Sequence, residues 1–133
     1  EDEKFIASEW PGIIEYLNKI KSAAEKDDFY AGHYAATDNA EYYLWAFLLL
    51  QNERWNRSAF YSAKDSLPKL SKNIPRHIST LLTSKNLIEL MQSTEQLAKI
   101  LKEELLLRGA DLPETETIDN AIQFIQVEEL EKN

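Results

Sequence analysis

Apolar residues recur at spacings of three and four along most of the chain, and no stretch reads as a strand. Ile13, Ile14, Leu17, Ile20 and Ala24 mark an amphipathic helix from about Glu9 to Lys26, with Ser8 as its cap and Pro11 in its first turn. Asp27 and Asp28 break that pattern, and Asp28 is placed to cap a second helix from about Phe29 to Asn52. From Tyr42 onward this helix is apolar nearly all round, so it belongs at the centre of the fold, about 35 Å long at ~1.5 Å per residue. A short helix follows over about Ala59 to Leu67, capped by Ser58 and ended by Pro68. Another runs from near Pro75 to Thr83, with Asn73 as its cap. Leu87, Leu90, Met91, Leu97, Ile100, Leu101 and Leu105 line a long helix ending near Arg108, with Gly109 at the left-handed position that closes such a helix. Residues 109–116 read as a linker, and Ile118, Ala121, Ile122, Ile125 and Val127 mark a C-terminal helix over about 117–131. Short connections between long helices favour antiparallel neighbours. The expected fold is all-α and single-domain: an up-and-down bundle of four main helices, two short helices in the crossover, and a C-terminal helix.

The composition supports this. Only three glycines and four prolines interrupt 133 residues, and 44% of the chain is hydrophobic, enough for a real core. Cysteine is absent, which excludes disulfides, thiolate chemistry and cysteine-based zinc sites and makes the cytoplasm the default compartment. No apolar run approaches the ~20 residues of a membrane span.

Charge sharpens the picture. The net charge is −8, but residues 53–85 carry two acids and seven bases, between flanks with ten acids against four bases (1–41) and eleven against four (87–133). A basic island between acidic arms argues against a general nucleic-acid binder and is compatible with a cationic small ligand.

The search for chemistry is mostly eliminative. His33 and His77 are the only histidines and share no metal-binding spacing, so no metal site is expected, and His33 is expected to be hydrogen-bonded at the rim of the core. Helical ribonucleases of the HEPN class place a histidine four to six residues after an arginine, and no arginine here has one. No glycine-rich phosphate loop is present, because Gly12, Gly32 and Gly109 are isolated. Two clusters remain. The tyrosines need partners for their hydroxyls, and six of them point to a cleft with a wet edge. Asn52, Arg54, Trp55, Arg57, Ser58 and Lys64 crowd a helix end and the next cap, where an anionic or hydroxyl-bearing ligand would be gripped.

The residues Asp28, Phe29, Tyr30, His33, Leu48, Leu49, Leu50, Asn52, Arg54, Trp55, Ser58, Lys64, Leu67, Pro75, Leu81 and Leu82 stand in an order that resembles the C-terminal helical domain of bacterial nucleotidyltransferases, in particular the kanamycin-nucleotidyltransferase-like group. The resemblance covers about residues 9–108. It implies a substrate-binding and dimerisation domain beside an N-terminal nucleotidyltransferase domain that holds a nucleoside triphosphate and Mg. It implies a cationic small-molecule acceptor contacted by Tyr30, His33, Tyr34, Asn52, Arg54, Trp55 and Lys64. It also makes Glu15, in the string Ile13-Ile14-Glu15, the candidate general base for the acceptor hydroxyl. The catalytic domain's glycine-serine motif and paired aspartates are missing, and the chain opens on Glu1 rather than methionine. Both features lead us to expect the excised C-terminal part of a longer protein, with no cofactor of its own and no catalysis alone. A non-enzymatic protein-interaction module and a HEPN-like RNA-binding protein lacking the ribonuclease motif are the alternatives.

Overall fold

The computed structural model describes residues 2–51, 63–71 and 73–112, with residues 63 and 64 described in the backbone alone. The described residues are helical and contain no strand. In chain order they form α1 (Asp2–Ser8), α2 (Trp10–Glu25), α3 (Phe29–Leu50), α4 (Ala63–Ser66), a 3₁₀ turn (Leu67–Lys69), α5 (Ile74–Thr83) and α6 (Leu87–Leu107). α2, α3, α5 and α6 make the bundle; α5, expected from the sequence as a short crossover helix, packs against both α3 and α6 as a full member. α3 packs against α1, α2, α5 and α6, which puts its apolar length at the centre. Its buried Gly32, Ala35, Ala36, Ala40 and Ala46 let neighbouring backbones come close, while Tyr43, Leu44, Phe47, Leu48 and Leu50 fill the spaces between them. A Cβ at Gly32 would collide with the Leu87 side chain at the start of α6.

The helix ends follow local chemistry. Asp28 caps α3 by accepting from Ala31 N at 3.1 Å, and Asn86 caps α6 by accepting from Glu89 N at 3.1 Å. Two helices close with the same device. Asp27 at φ 51 follows α2 and Gly109 at φ 81 follows α6. In each case the next amide reaches back to a carbonyl five residues earlier, Asp28 N to Ala23 O at 2.9 Å and Ala110 N to Leu105 O at 3.0 Å. Only three residues separate α2 from α3 and three separate α5 from α6, so each pair is an antiparallel hairpin. A third tie crosses the bundle: Arg108, held by Glu104 at 3.0 Å, donates from Nη2 to Leu50 O at 2.7 Å, satisfying an end carbonyl of α3.

Several sequence expectations need correction. Ser8 does not cap α2; its Oγ donates to Phe5 O at 2.6 Å inside α1, and Glu9 occupies the cap position without a side-chain bond. α1 itself was not expected, because seven residues are too short to show a period, yet Ile6 and Ala7 are buried. Asn73 occupies the cap position of α5 without a cap bond, and that helix begins at Ile74, one residue before Pro75. Pro68 lies within the 3₁₀ turn rather than just beyond a helix. Ala24 is only half-buried, and Ala23 takes its place in the core. The expected Ser58 cap and the helix over 117–131 lie outside the described residues. As a local test, Asn86→Ala should lower the unfolding free energy by about 1 kcal/mol in urea denaturation through the lost cap of α6. A change near zero would show that the cap contributes nothing.

Candidate functional site: a tyrosine-lined pocket between α2 and α3

The α2–α3 hairpin encloses a pocket of about 200 Å³ lined by Glu9, Gly12, Ile13, Tyr16, Asn39, Tyr42 and Tyr43. Helical spacing makes the walls. Glu9 lies at the α2 cap position, with Gly12, Ile13 and Tyr16 at three- and four-residue steps beyond it, and Asn39, Tyr42 and Tyr43 do the same on α3. A Cβ on Gly12 would meet nothing within 4 Å, so this glycine leaves open room at the α2 wall.

Two tyrosine–carboxylate pairs bridge the helices. Tyr42 donates to Glu9 Oε1 at 3.3 Å, and Tyr16 donates to Asp38 Oδ2 at 3.4 Å. Both bonds are long for O–H···O contacts, so both carboxylates retain capacity for a better donor. Burial, then the nearby Glu9 charge, pushes the Tyr42 phenol well up; burial alone does the same to Tyr43. Burial and Asp38 push Tyr16 up. All three therefore stay protonated and able to donate around neutrality. Asn39 is 2% exposed, and its Nδ2 has no hydrogen-bond partner among the described residues. An orphaned amide in a bundle of this size costs about 1–3 kcal/mol. Asn39 belongs to the wall of the pocket.

The residues expected from sequence fall in several places. Glu15 is exposed on α2, pairs with Lys19 at 3.7 Å and does not line the pocket. Lys19 in turn lies 4.9 Å over the Tyr16 ring, so Glu15 belongs to the outer rim. Tyr30 and Tyr34, one turn apart on α3, are 86% and 75% exposed and form an aromatic strip leading away from the pocket. His33 is stacked on Phe29, with centroids 5.5 Å apart and an 18° interplanar angle. Its expected hydrogen bond is not found: Nδ1 is buried and has no partner among the described residues. Asn52, Arg54 and Trp55, and the side chain of Lys64, lie outside the described residues. Of the six tyrosines, Tyr16, Tyr42 and Tyr43 line the pocket, with Tyr43 buried. Glu9, Gly12 and Asn39 were missed. The signal for Asn39 was present: it falls on the same buried register as Ala36, Ala40 and Tyr43, where a polar side chain is out of place unless something satisfies it.

A second concavity, about 580 Å³ and open, runs between α5 and α6 past Arg76, His77, Thr80, Glu89, Gln92 and Ser93. His77 Nδ1 lies 3.4 Å from Ser93 Oγ, and burial followed by the Arg76 charge pushes the imidazole pKa down. No acidic side chain is bonded to His77 among the described residues, so the pair has no orienting third group of the kind nucleophilic catalysis uses. No group of three or more histidine, aspartate or glutamate side chains among the described residues is placed to hold a metal ion. No helix among the described residues is long and apolar enough to cross a membrane. No protein-family model, curated protein or solved structure matches the chain.

Proposed function

We propose that the chain is a ligand-binding helical domain that supplies the acceptor side of a nucleotidyltransferase cleft, with the α2–α3 pocket as its ligand site. The observation that carries the reading is the buried, unpartnered Asn39 amide on the wall of a pocket bridged by Tyr42–Glu9 and Tyr16–Asp38. The acidic wall and rim support a cationic small-molecule acceptor, and the resemblance of residues 9–108 supports the enzyme class. On this reading the nucleoside triphosphate and Mg are held by a separate N-terminal nucleotidyltransferase domain, and Glu15 acts only if that domain brings the acceptor hydroxyl to the rim. Calorimetric titration of the parent protein with an aminoglycoside-like polycation should give saturable heat that Glu9→Gln weakens by about tenfold, the loss expected for one ionic contact of ~1.4 kcal/mol. Absence of heat at millimolar ligand defeats the acceptor assignment.

A second reading, a protein-interaction module that includes the homodimer expected from sequence, is favoured by one observation: the exposed Tyr30–Tyr34 strip. Under it, light scattering should give a dimer mass that the double change Tyr30→Ser, Tyr34→Ser converts to monomer. A wild-type monomer removes the dimer.

A further inference from the structure

We propose that the outward face of α3 at Tyr30 and Tyr34 docks a basic segment of a partner protein, one that presents arginine or lysine side chains a helical turn apart. This rests on the reading of the strip as an interaction surface and adds the chemistry of what covers it. Tyr30 and Tyr34 are 86% and 75% exposed and stand one turn, about 6 Å, apart on α3. Their footing is aromatic too: Tyr30 meets the Phe29 ring edge-on at 6.2 Å, and Phe29 is stacked on His33. Neither tyrosine lines the α2–α3 pocket or the α5–α6 concavity, so this face presents rings rather than a hole for an apolar knob. The charge around the rings decides what meets them. Residues 27–41 hold four acids, Asp27, Asp28, Asp38 and Glu41, and no lysine or arginine. Asp38 continues the four-residue step of Tyr30 and Tyr34 along the helix. Burial, then Asp38, then Glu15 and Tyr34, push the Tyr16 phenol up, so these groups share one neighbourhood at the α2 edge of the strip. That neighbourhood already holds a cation. Lys19 lies 4.9 Å over the Tyr16 ring and 3.7 Å from Glu15, an ammonium shared between a ring face and a carboxylate. Tyr30 and Tyr34 repeat the pairing of ring and acid with no cation of this chain over them among the described residues. An arginine guanidinium can stack on a tyrosine and fork onto a carboxylate at once, which makes it the better of the two bases. A nucleic-acid strand would find the rings but meet the acids, and an apolar or acidic segment would leave the carboxylates without counter-charge.

The test is the fluorescence anisotropy of a dye-labelled, alanine-based helical peptide with three arginines at four-residue steps, titrated with the chain. The peptide should bind saturably, and added salt should weaken it. Glutamine in place of its arginines should abolish binding, and lysine in their place should weaken it about threefold. Tyr30→Ser combined with Tyr34→Ser should weaken binding about tenfold, the loss of two exposed cation–π contacts, with the melting temperature unchanged. Asp38→Asn should weaken it about threefold, the loss of one exposed ion pair. Spermidine, which carries the same three charges without a peptide, or a single-stranded RNA binding as tightly as the peptide overturns the partner class and leaves the strip a binding surface. A chain that binds no peptide but forms a dimer broken by the two tyrosine changes makes the strip an interface between copies and overturns this proposal alone. A monomer that binds no peptide overturns both the proposal and the reading of the strip as an interaction surface.

Discussion

Replacing Leu44 by alanine should lower the unfolding free energy by about 2–5 kcal/mol. Leu44 is fully buried in α3, the helix that every other bundle helix touches. Its truncation removes three carbons' worth of contacts and leaves a hole that rigid neighbouring helices cannot collapse into. For a domain with a stability of about 5–15 kcal/mol, that is a large fraction of the whole. Urea denaturation with an unchanged slope measures it directly. Leu107, 81% exposed at the end of α6, is the matched control, and its alanine variant should stay within about 0.5 kcal/mol of the parent. Equal costs at the two positions would show that α3 is not the centre of the bundle.

Asn39→Leu should act in the opposite direction, raising stability by about 1–2 kcal/mol. The parent side chain buries an amide nitrogen with no partner among the described residues, and leucine removes that desolvation cost. Overpacking does not cancel the gain, because the adjoining pocket of about 200 Å³ accepts the extra bulk. Thermal unfolding of Asn39→Leu beside Asn39→Ala separates the cases. If both variants lose stability equally, ordered water already satisfies the amide.

The fold was legible because its main signals are periodic. Ile13, Ile14, Leu17 and Ile20, and Leu90, Met91, Leu97, Leu101 and Leu105, were read at helical spacing and are all buried. The all-round apolar character of Tyr42–Leu50 marked the helix that lies at the centre. Caps were less legible. A Ser, Asp or Asn before a helix competes with bonds inside the preceding segment, and at Ser8 the carbonyl of Phe5 won. The site was half legible. Six tyrosines announced a wet cleft, but which of them share one depends on how two helices face each other. Tyr16 and Tyr42 meet carboxylates across α2–α3, whereas Tyr30 and Tyr34, on the same helix as Tyr42, point to solvent. Glu9 looked like a helix start in sequence, and only the neighbouring helix makes it a wall.

The left-handed Asp27 has a further meaning. Both walls of the pocket belong to one hairpin, so the bonded pairs Tyr42–Glu9 and Tyr16–Asp38 are 33 and 22 residues apart, and everything between them passes through the turn at residues 26–28. The pocket is thus a low-contact-order element whose closure entropy depends on a short loop and whose shape depends on one hinge. An insertion at that hinge would rotate Tyr42 and Asn39 away from Glu9 together, while the α5–α6 hairpin stayed as it is.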